Sequence, residues 1–154
     1  MTSIAYRDGI LAADSQTTVE SEAGGARRFR CEKLYRKTTK EGAEAIIATA
    51  GESAPALVFL DWYGTGKRPP PRLLEGNADF TCLVLRRDGL WEYDAWCRGD
   101  KVLEPFYAIG SGAKAALGAM HMGASAEEAV RVACLIDPYS APPIVTMSLS
   151  KDPQ

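Results

Sequence analysis

The residues with the clearest chemical potential stand at the start of the chain, where Thr2 directly follows Met1. If Met1 is removed, as is usual before a residue as small as threonine, Thr2 carries a free α-amine beside its own hydroxyl. A free α-amine has an unperturbed pKa of about 7.7–8.0, so it can accept a proton at neutral pH. A hydroxyl with a base on the same residue is one form of activated nucleophile. An ordinary buried first strand with a surface threonine fits the same residues.

A short hairpin is predicted to bring a carboxylate to this threonine. Apolar strands at 4–6 and 10–13 flank Asp8-Gly9, which is a strong signal for a two-residue turn. The second strand therefore returns to the chain start, and Asp14 is expected to lie close to Thr2. Chain ends are loose unless something holds them, so a hairpin in this position is unusual.

The composition is that of a globular protein with one domain over residues 1–154. The chain is 46% hydrophobic and 25% charged, and its length is sufficient to bury a core. Its net charge of -2 gives no electrostatic reason to expect nucleic acid or an anionic membrane as a partner. No apolar run approaches ~18 residues and no signal peptide is recognisable, so a cytoplasmic protein is expected.

Cysteine and histidine usage argues against a metal site or a disulfide framework. The four cysteines are scattered without a Cys-x-x-Cys pair, and His121 is the only histidine. Neither a metal nor a cofactor is therefore expected. A serine or cysteine triad of the common kind needs a histidine base, so such a mechanism would have to use His121.

Hydrophobic spacing and turn signals predict the remaining elements. Alternation and apolar runs indicate strands, whereas apolar residues at i, i+3, i+4 and i+7 indicate helices. In chain order the sequence predicts an extended segment at 17–20, a loop at 21–26, strands at 28–36 and 43–50, a helix with Ser53 as N-cap, a proline-rich connector at 67–72, a hairpin at 80–96 around Asp88-Gly89, a strand at 106–109, a helix at 113–120, a helix at 126–136 opened by a capping box of Ser125 and Glu128, and a strand at 144–149. Strands joined by tight turns favour antiparallel sheets.

Several separated segments together match one family. They are Thr2-Ser3-Ile4, Leu11-Ala12-Ala13-Asp14-Ser15, Lys33-Leu34, Ala48-Thr49-Ala50-Gly51, Ala108-Ile109-Gly110-Ser111-Gly112 and Asp137-Pro138-Tyr139-Ser140. With these segments the sequence resembles the β-subunits of proteasomes and the HslV-type peptidases, which are N-terminal-threonine hydrolases. The resemblance implies an α+β fold, a four-layer αββα sandwich in which two antiparallel sheets pack face to face between outer helices.

The resemblance also implies a role for the central residues of the site. Thr2 would be the nucleophile, and its α-amine would be the base. Lys33 would supply a positive charge that lowers the pKa of the threonine hydroxyl, and Asp14 would pair with Lys33. Gly51 would donate its backbone N–H to the developing oxyanion. A purely structural ion pair is the alternative interpretation of Asp14 and Lys33.

Three further positions match residues that orient the N-terminal amine in the family, namely Ser111, Asp137 and Ser140. Helix capping is the alternative role for Ser111 and Asp137, because both stand at predicted helix ends.

A substrate peptide would, by the same resemblance, lie extended against strand edges near Thr18 and Thr49–Gly51. The side chain before the scissile bond would enter a pocket lined by Thr17, Cys31 and Thr49. None of these three side chains is charged, so an uncharged residue is expected to be preferred there.

Two departures from the family pattern concern length. The hairpin from Thr2 to Asp14 is about four residues shorter than is usual, an even number that preserves the face to which each side chain points. The stretch from Glu52 to Asn77 has room for one helix where the family usually has two. The outer helical layer used in ring assembly is therefore expected to be thin on one side.

Three functions are compatible with these observations. The first is a threonine peptidase that acts on peptides or unfolded proteins as a homo-oligomer, with an ATPase as a possible partner. The second is a non-enzymatic, self-assembling scaffold with the same fold. The third is an amidase of the same superfamily that acts on a small molecule.

Overall fold

The computed structural model describes residues 1–20, 24–70 and 80–150, which contain eleven strands and three helices. The strands are β1 (Ser3–Arg7), β2 (Ile10–Ala13), β3 (Gln16–Glu20), β4 (Ala26–Arg30), β5 (Leu34–Thr38), β6 (Glu44–Gly51), β7 (Phe80–Arg86), β8 (Gly89–Tyr93), β9 (Gly99–Lys101), β10 (Phe106–Gly110) and β11 (Val145–Ser148). The helices are α1 (Ser53–Trp62), α2 (Ala113–His121) and α3 (Ala126–Ile136).

All strand pairs among the described residues are antiparallel, as the tight turns predicted. The first sheet has the order β10-β1-β2-β11, and the second has the order β5-β6-β7-β8-β9. The strands β3 and β4 form a separate two-stranded ribbon. In the opening hairpin Asp8 and Gly9 both have positive φ, 51° and 77°, as a type I′ turn requires.

The two large sheets pack face to face, with α2 and α3 on the outer face of the first and α1 on that of the second. Ile4, Leu11 and Ile109 point from the first sheet into the central core, where they meet side chains of the second sheet such as Ile46 and Leu83. On the opposite face of the first sheet, small alanine side chains allow close packing of α2 and α3. The predicted α+β, four-layer αββα sandwich is therefore confirmed.

Within the described residues, the outer layer on the second sheet consists of α1, which is anchored by one aromatic side chain. Phe59 is completely buried, and its ring lies 5.3–5.8 Å from the rings of Trp62, Tyr63, Phe80 and Tyr93. Ring pairs at such distances add about 0.5–1.5 kcal/mol to the effect of area burial. α1 is the helix expected after Glu52, and the later part of the stretch to Asn77 lies outside the described residues.

The strand predicted at 28–36 was wrong, because this segment forms two strands that belong to different sheets. β4 pairs with β3, whereas β5 pairs with β6, and the chain leaves the extended ladder at 31–33. The break was not recognised, because the loose sequence alternation of Phe29, Cys31, Lys33 and Tyr35 continues across it.

Smaller differences occur at other element ends. The N-cap of α1 is Glu52 and not Ser53, and no side chain caps this helix. The short strand β9 was not predicted. The capping box of Ser125 and Glu128 opens α3 as expected. Parts of the loop predicted at 21–26 and of the connector predicted at 67–72 lie outside the described residues.

Arg7 connects the far end of β1 to the helical layer. Its Nη1 donates to the carbonyl oxygens of Met120 at 2.8 Å and Ala124 at 3.0 Å, near the C-terminal end of α2. The guanidinium carbon lies 5.3 Å from the centre of the Phe106 ring. A cation is favourable at a helix C-terminus, so this contact holds the strand end in place.

None of the helices within residues 1–20, 24–70 and 80–150 has the length and apolar character needed to cross a membrane.

Candidate active site

A buried ion pair forms the centre of the candidate site. Asp14 follows the last residue of β2, and Lys33 lies in the connection between β4 and β5. Lys33 Nζ is 2.7 Å from Asp14 Oδ1, and the two side chains are 4% and 0% exposed. Removal of one partner from a buried pair typically costs about 3–5 kcal/mol, because the other charge remains without compensation.

The carboxylate of Asp14 also holds three backbone segments together. Oδ1 accepts from the N–H of Ser3 at 2.9 Å, and Oδ2 accepts from Gln16 at 3.0 Å and from Ala141 at 3.2 Å. Four donors, with Lys33 included, satisfy the ionised carboxylate although it is buried. Asp14 therefore positions the chain start, the start of β3 and the loop before β11 at once.

All three ammonium hydrogens of Lys33 have acceptors. Besides Asp14, Nζ donates to the carbonyl oxygen of Gln16 at 2.6 Å and to that of Met1 at 3.3 Å. The Met1 carbonyl is the group that acylates the Thr2 nitrogen. The lysine charge thus lies at the peptide bond that precedes Thr2.

Thr2 itself is 4% exposed and is fixed through its backbone. Its N–H donates to Ser111 Oγ at 3.2 Å, and its carbonyl oxygen accepts from the N–H of Gly112 at 3.4 Å. Gly110, at φ 93°, approaches so closely that a Cβ there would overlap the Thr2 carbonyl oxygen. Only glycine fits this conformation and this space.

A second hydrogen-bond network reaches the Thr2 nitrogen from the other side. Asp137 Oδ2 accepts from Ser111 Oγ and from Ser140 Oγ, both at 2.6 Å, and Oδ1 accepts from the N–H of Tyr139 at 3.2 Å. Burial alone raises the pKa of Asp137, but the two hydroxyls and the Tyr139 N–H outweigh it and hold this pKa below its ordinary value. The carboxylate is therefore ionised at neutral pH.

The capping alternative does not describe these side chains. Gly112, and not Ser111, is the N-cap of α2, and no side chain caps that helix. Asp137 is the C-cap residue of α3, but its carboxylate faces the two serines. The network ends at the nitrogen of Thr2.

We expect Asp137→Asn to lower the thermal stability in a pH-dependent way. Loss of charge-assisted hydrogen bonds worth about 2 kcal/mol corresponds to a fall in Tm of roughly 4–8 °C near pH 7. A lowered pKa stabilises the fold fully above the unfolded-state value of about 3.9, and this contribution disappears as the pH falls through the folded-state pKa. The difference in Tm should therefore close in acid.

Calorimetry of both proteins between neutral and acid pH measures this difference. The exposed carboxylate of Asp100 offers a control, since Asp100→Asn should leave Tm nearly unchanged at every pH. A Tm difference for Asp137→Asn that stays constant down to pH of about 3 would contradict the assignment of an ionised carboxylate.

Three cavities meet at Thr2 and Gly51, which contribute to the lining of each. Their volumes are about 460, 120 and 490 Å³. The first extends towards Ser111, and the third runs along β3. The second lies between β5 and α1 and includes Thr17, Cys31 and Thr49 in its lining. The nucleophile candidate therefore stands at the junction of a continuous cleft.

The four residues expected to bind substrate lie in this cleft. Thr17, Cys31 and Thr49 line the 120 Å³ cavity together with Thr2, and the Thr17 hydroxyl contacts the Cys31 thiol. Thr18 lines the 490 Å³ cavity. Its Oγ1 is buried and has no hydrogen-bond partner within the described residues.

The structure thus brings all eleven expected residues to one region, and it adds others that the sequence did not indicate. Ser3 Oγ lies 2.7 Å from Ser140 Oγ and extends the Asp137 network. Glu32 and Glu52 contribute to the lining of the 120 Å³ cavity. Their positions directly after Cys31 and Gly51 were the only signal in the sequence. Among the described residues, no cluster of His, Cys, Asp and Glu suits a metal ion.

Comparison with known proteins gives matches in structure alone. No protein-family profile and no curated protein matches the sequence. Solved structures do match. Thiobacillus denitrificans BPH in complex with epoxomicin is 20% identical, with a TM-score of 0.62 over 97% of this chain and 99% of that chain. HslV from Trypanosoma brucei is 18% identical, with a TM-score of 0.61 over 95% and 97%. Anbu, an ancestral beta-subunit from Yersinia bercovieri, is 12% identical, with a TM-score of 0.65 over 96% and 80%.

These neighbours, together with the four layers, define the chain as a protein with the N-terminal-nucleophile hydrolase fold. Within that class its fold is that of the HslV and proteasome-like proteins, and the resemblance stated from the sequence is confirmed for the fold.

Proposed function

We propose that this protein is a threonine peptidase in which Thr2 becomes the N-terminal nucleophile once Met1 is removed. The observation that carries the proposal is the arrangement of the Lys33 ammonium, which binds Asp14, Gln16 and the Met1 carbonyl. Removal of Met1 takes away the third acceptor and leaves one ammonium hydrogen free beside Thr2. The same cleavage converts the Thr2 amide into a basic amine.

In the proposed reaction the amine of Thr2 takes the proton of its own hydroxyl as Oγ1 attacks the substrate carbonyl. The positive charge of Lys33 stabilises the developing alkoxide, and Asp14 holds Lys33 in place. Collapse of the tetrahedral intermediate breaks the peptide bond and transfers the proton to the leaving amine. Water then hydrolyses the ester on Thr2 and regenerates the free hydroxyl.

Gly51 is the proposed oxyanion donor. The N–H of Thr49 donates to the Lys33 carbonyl at 3.1 Å, at the point where the pairing of β6 with β5 ends. Alternate N–H groups of a strand point to the same side, so the Gly51 N–H faces the cleft beyond the end of β5. One such donor typically contributes about 3 kcal/mol of transition-state stabilisation.

Ser111, Asp137 and Ser140 are proposed to orient the amine. Ser111 Oγ gives its proton to Asp137 and so offers a lone pair to an N–H of Thr2. One amine hydrogen is thereby directed away from Oγ1, and the nitrogen lone pair is left for the hydroxyl proton. Because Asp137 is ionised at neutral pH, the direction of these hydrogen bonds is fixed.

A threonine-directed epoxyketone tests this proposal, because it reports Met1 removal and nucleophile reactivity together. We expect the intact mass of the treated protein to show loss of Met1 and addition of one probe molecule on Thr2. Thr2→Ala should stay unlabelled under the same conditions. A processed protein that remains unmodified at saturating probe would contradict the proposal and leave the scaffold function in its place.

We propose in addition that the protein is a cytoplasmic homo-oligomer that degrades peptides or unfolded proteins, with an unfolding ATPase as partner. Exposed apolar side chains at the end of α2 and on α3 support self-association, namely Met122 at 89%, Leu135 at 83% and Ile136 at 67% exposure. Native mass spectrometry decides the number of subunits, and a strictly monomeric protein would remove this part of the proposal.

A further inference from the structure

The cavity between Thr2 and the start of α1 is lined by two acidic residues as well as by uncharged ones. We call this 120 Å³ cavity, whose lining includes Thr17, Cys31, Thr49, Tyr35, Glu32 and Glu52, the Thr2 pocket. Glu32 lies in the break between β4 and β5, and Glu52 stands at the N-terminus of α1. Both residues contribute to the lining of this cavity and both are exposed.

The ionisable groups of the Thr2 pocket leave it with an excess of negative charge. Lys33 also contributes to the lining, but its charge is matched by Asp14 at 2.7 Å. The carboxylates of Glu32 and Glu52 form no ion pair or hydrogen bond within the described residues. The N-terminus of α1 offsets only about half of one elementary charge.

The Tyr35 phenol lies beside Glu32 and donates to its backbone carbonyl at 2.7 Å. Burial, followed by the nearby groups of Cys31 and Glu32, raises the pKa of Tyr35, so the phenol is neutral at physiological pH and adds no charge of its own. Arg30 and Glu32 both line a separate cavity on the other side of Lys33, yet they form no ion pair there. Glu52 is farther from any arginine along the chain and is the cleaner test position.

We propose that Glu32 and Glu52 make the Thr2 pocket select lysine or arginine before the scissile bond. This inference rests on the proposed peptidase function, and it replaces the expectation of an uncharged residue at that position. A long basic side chain would lay its aliphatic part along the apolar wall of Ala56 and Leu57 and bring its charge to the two carboxylates. Glu32 and Glu52 are both exposed, so the cation would keep part of its hydration and the desolvation cost would be small.

Fluorogenic peptides that differ only before the scissile bond test this preference. The matched pair is arginine and citrulline, which have the same shape but differ in charge. We expect kcat/KM to favour arginine over citrulline by about tenfold, and over glutamate by more, since glutamate would be repelled. The ratio should shrink as NaCl rises from about 0.05 to about 0.5 M, because exposed charges are screened.

Two variants then assign the preference to residues. Glu52→Gln and Glu32→Gln should each reduce the arginine-to-citrulline ratio by roughly threefold or more, and both together should bring it close to one. The exposed Glu104, near the end of β10 remote from Thr2, provides the control, and Glu104→Gln should leave the ratio unchanged.

The outcomes separate this inference from the proposed function. Epoxyketone labelling of Thr2 with equal cleavage of the arginine and citrulline peptides would overturn the inference and leave the peptidase standing. A preference for leucine, or an arginine preference that survives the double variant, would overturn it as well. Absence of both labelling and cleavage would overturn the peptidase and the inference together.

Discussion

Replacement of Thr2 by alanine is expected to lower peptide hydrolysis by about 10,000-fold or more, to the background level of the assay. The hydroxyl is the only proposed atom that forms the covalent bond to substrate, so no other group can replace it. The fold should remain intact, since the Thr2 side chain forms no hydrogen bond within the described residues and its backbone contacts survive the change. Initial rates with a fluorogenic peptide and a thermal melt measure both effects.

Thr2→Ser serves as the matched control for this experiment. Serine keeps the hydroxyl and the α-amine, so we expect measurable turnover and probe labelling, at a reduced rate. Full activity of Thr2→Ala would exclude Thr2 as the nucleophile. Loss of activity in Thr2→Ser together with a lowered Tm would instead indicate a structural role for the threonine methyl group.

Asp14 and Lys33 are expected to act as one unit in catalysis. We predict that Lys33→Ala and Asp14→Ala each lower kcat by about 1,000-fold, and that the double variant is hardly worse than either single variant. The reason is that Asp14 contributes to the reaction only by holding the Lys33 charge at Thr2. Steady-state kinetics of the double-mutant cycle measure the coupling, and fully additive losses would show that the two residues have independent roles.

The two substitutions should differ in their effect on stability. Lys33→Ala leaves Asp14 with its three backbone donors, which continue to satisfy the carboxylate. Asp14→Ala leaves the buried ammonium with carbonyl oxygens alone and also releases those three N–H groups. We therefore expect Asp14→Ala to cost about 3–5 kcal/mol and Lys33→Ala clearly less.

Urea unfolding of both variants compares these free energies. Lys40→Ala is a suitable control, because the Lys40–Glu41 pair is exposed and separated by 3.8 Å. Its removal should change the free energy of unfolding by no more than about 0.5 kcal/mol. A larger cost for Lys33→Ala than for Asp14→Ala would mean that the backbone donors do not satisfy the carboxylate.

Much of the scaffold around the site could be predicted because local signals agree with the fold. The turn Asp8-Gly9 determines the register of the opening hairpin, so the position of Asp14 beside Ser3 follows from chain geometry. The capping box of Ser125 and Glu128 likewise marks the start of α3. These features depend on residues within a few positions of one another, which a single sequence can reveal.

Other features depend on contacts between distant segments and therefore could not be predicted. The break at 31–33 lets Lys33 leave the strand and reach Asp14, and no local turn signal marks it. The contact between Ser3 and Ser140 joins residues 137 positions apart. The acidic side of the Thr2 pocket arises where this break meets the start of α1, so Glu32 and Glu52 come together only in the folded chain.

Because β1 is anchored at both ends, the position of Thr2 does not depend on the length of the turn that follows this strand. At one end Ser111 and Gly112 hold Thr2, and at the other end Arg7 holds the strand to α2. Additional residues between Asp8 and Gly9 would therefore extend into solvent without moving the nucleophile along the strand. The hairpin tip is a place where insertions can accumulate over evolution, or a tag can be inserted by design, while the chemistry at the opposite end stays in register.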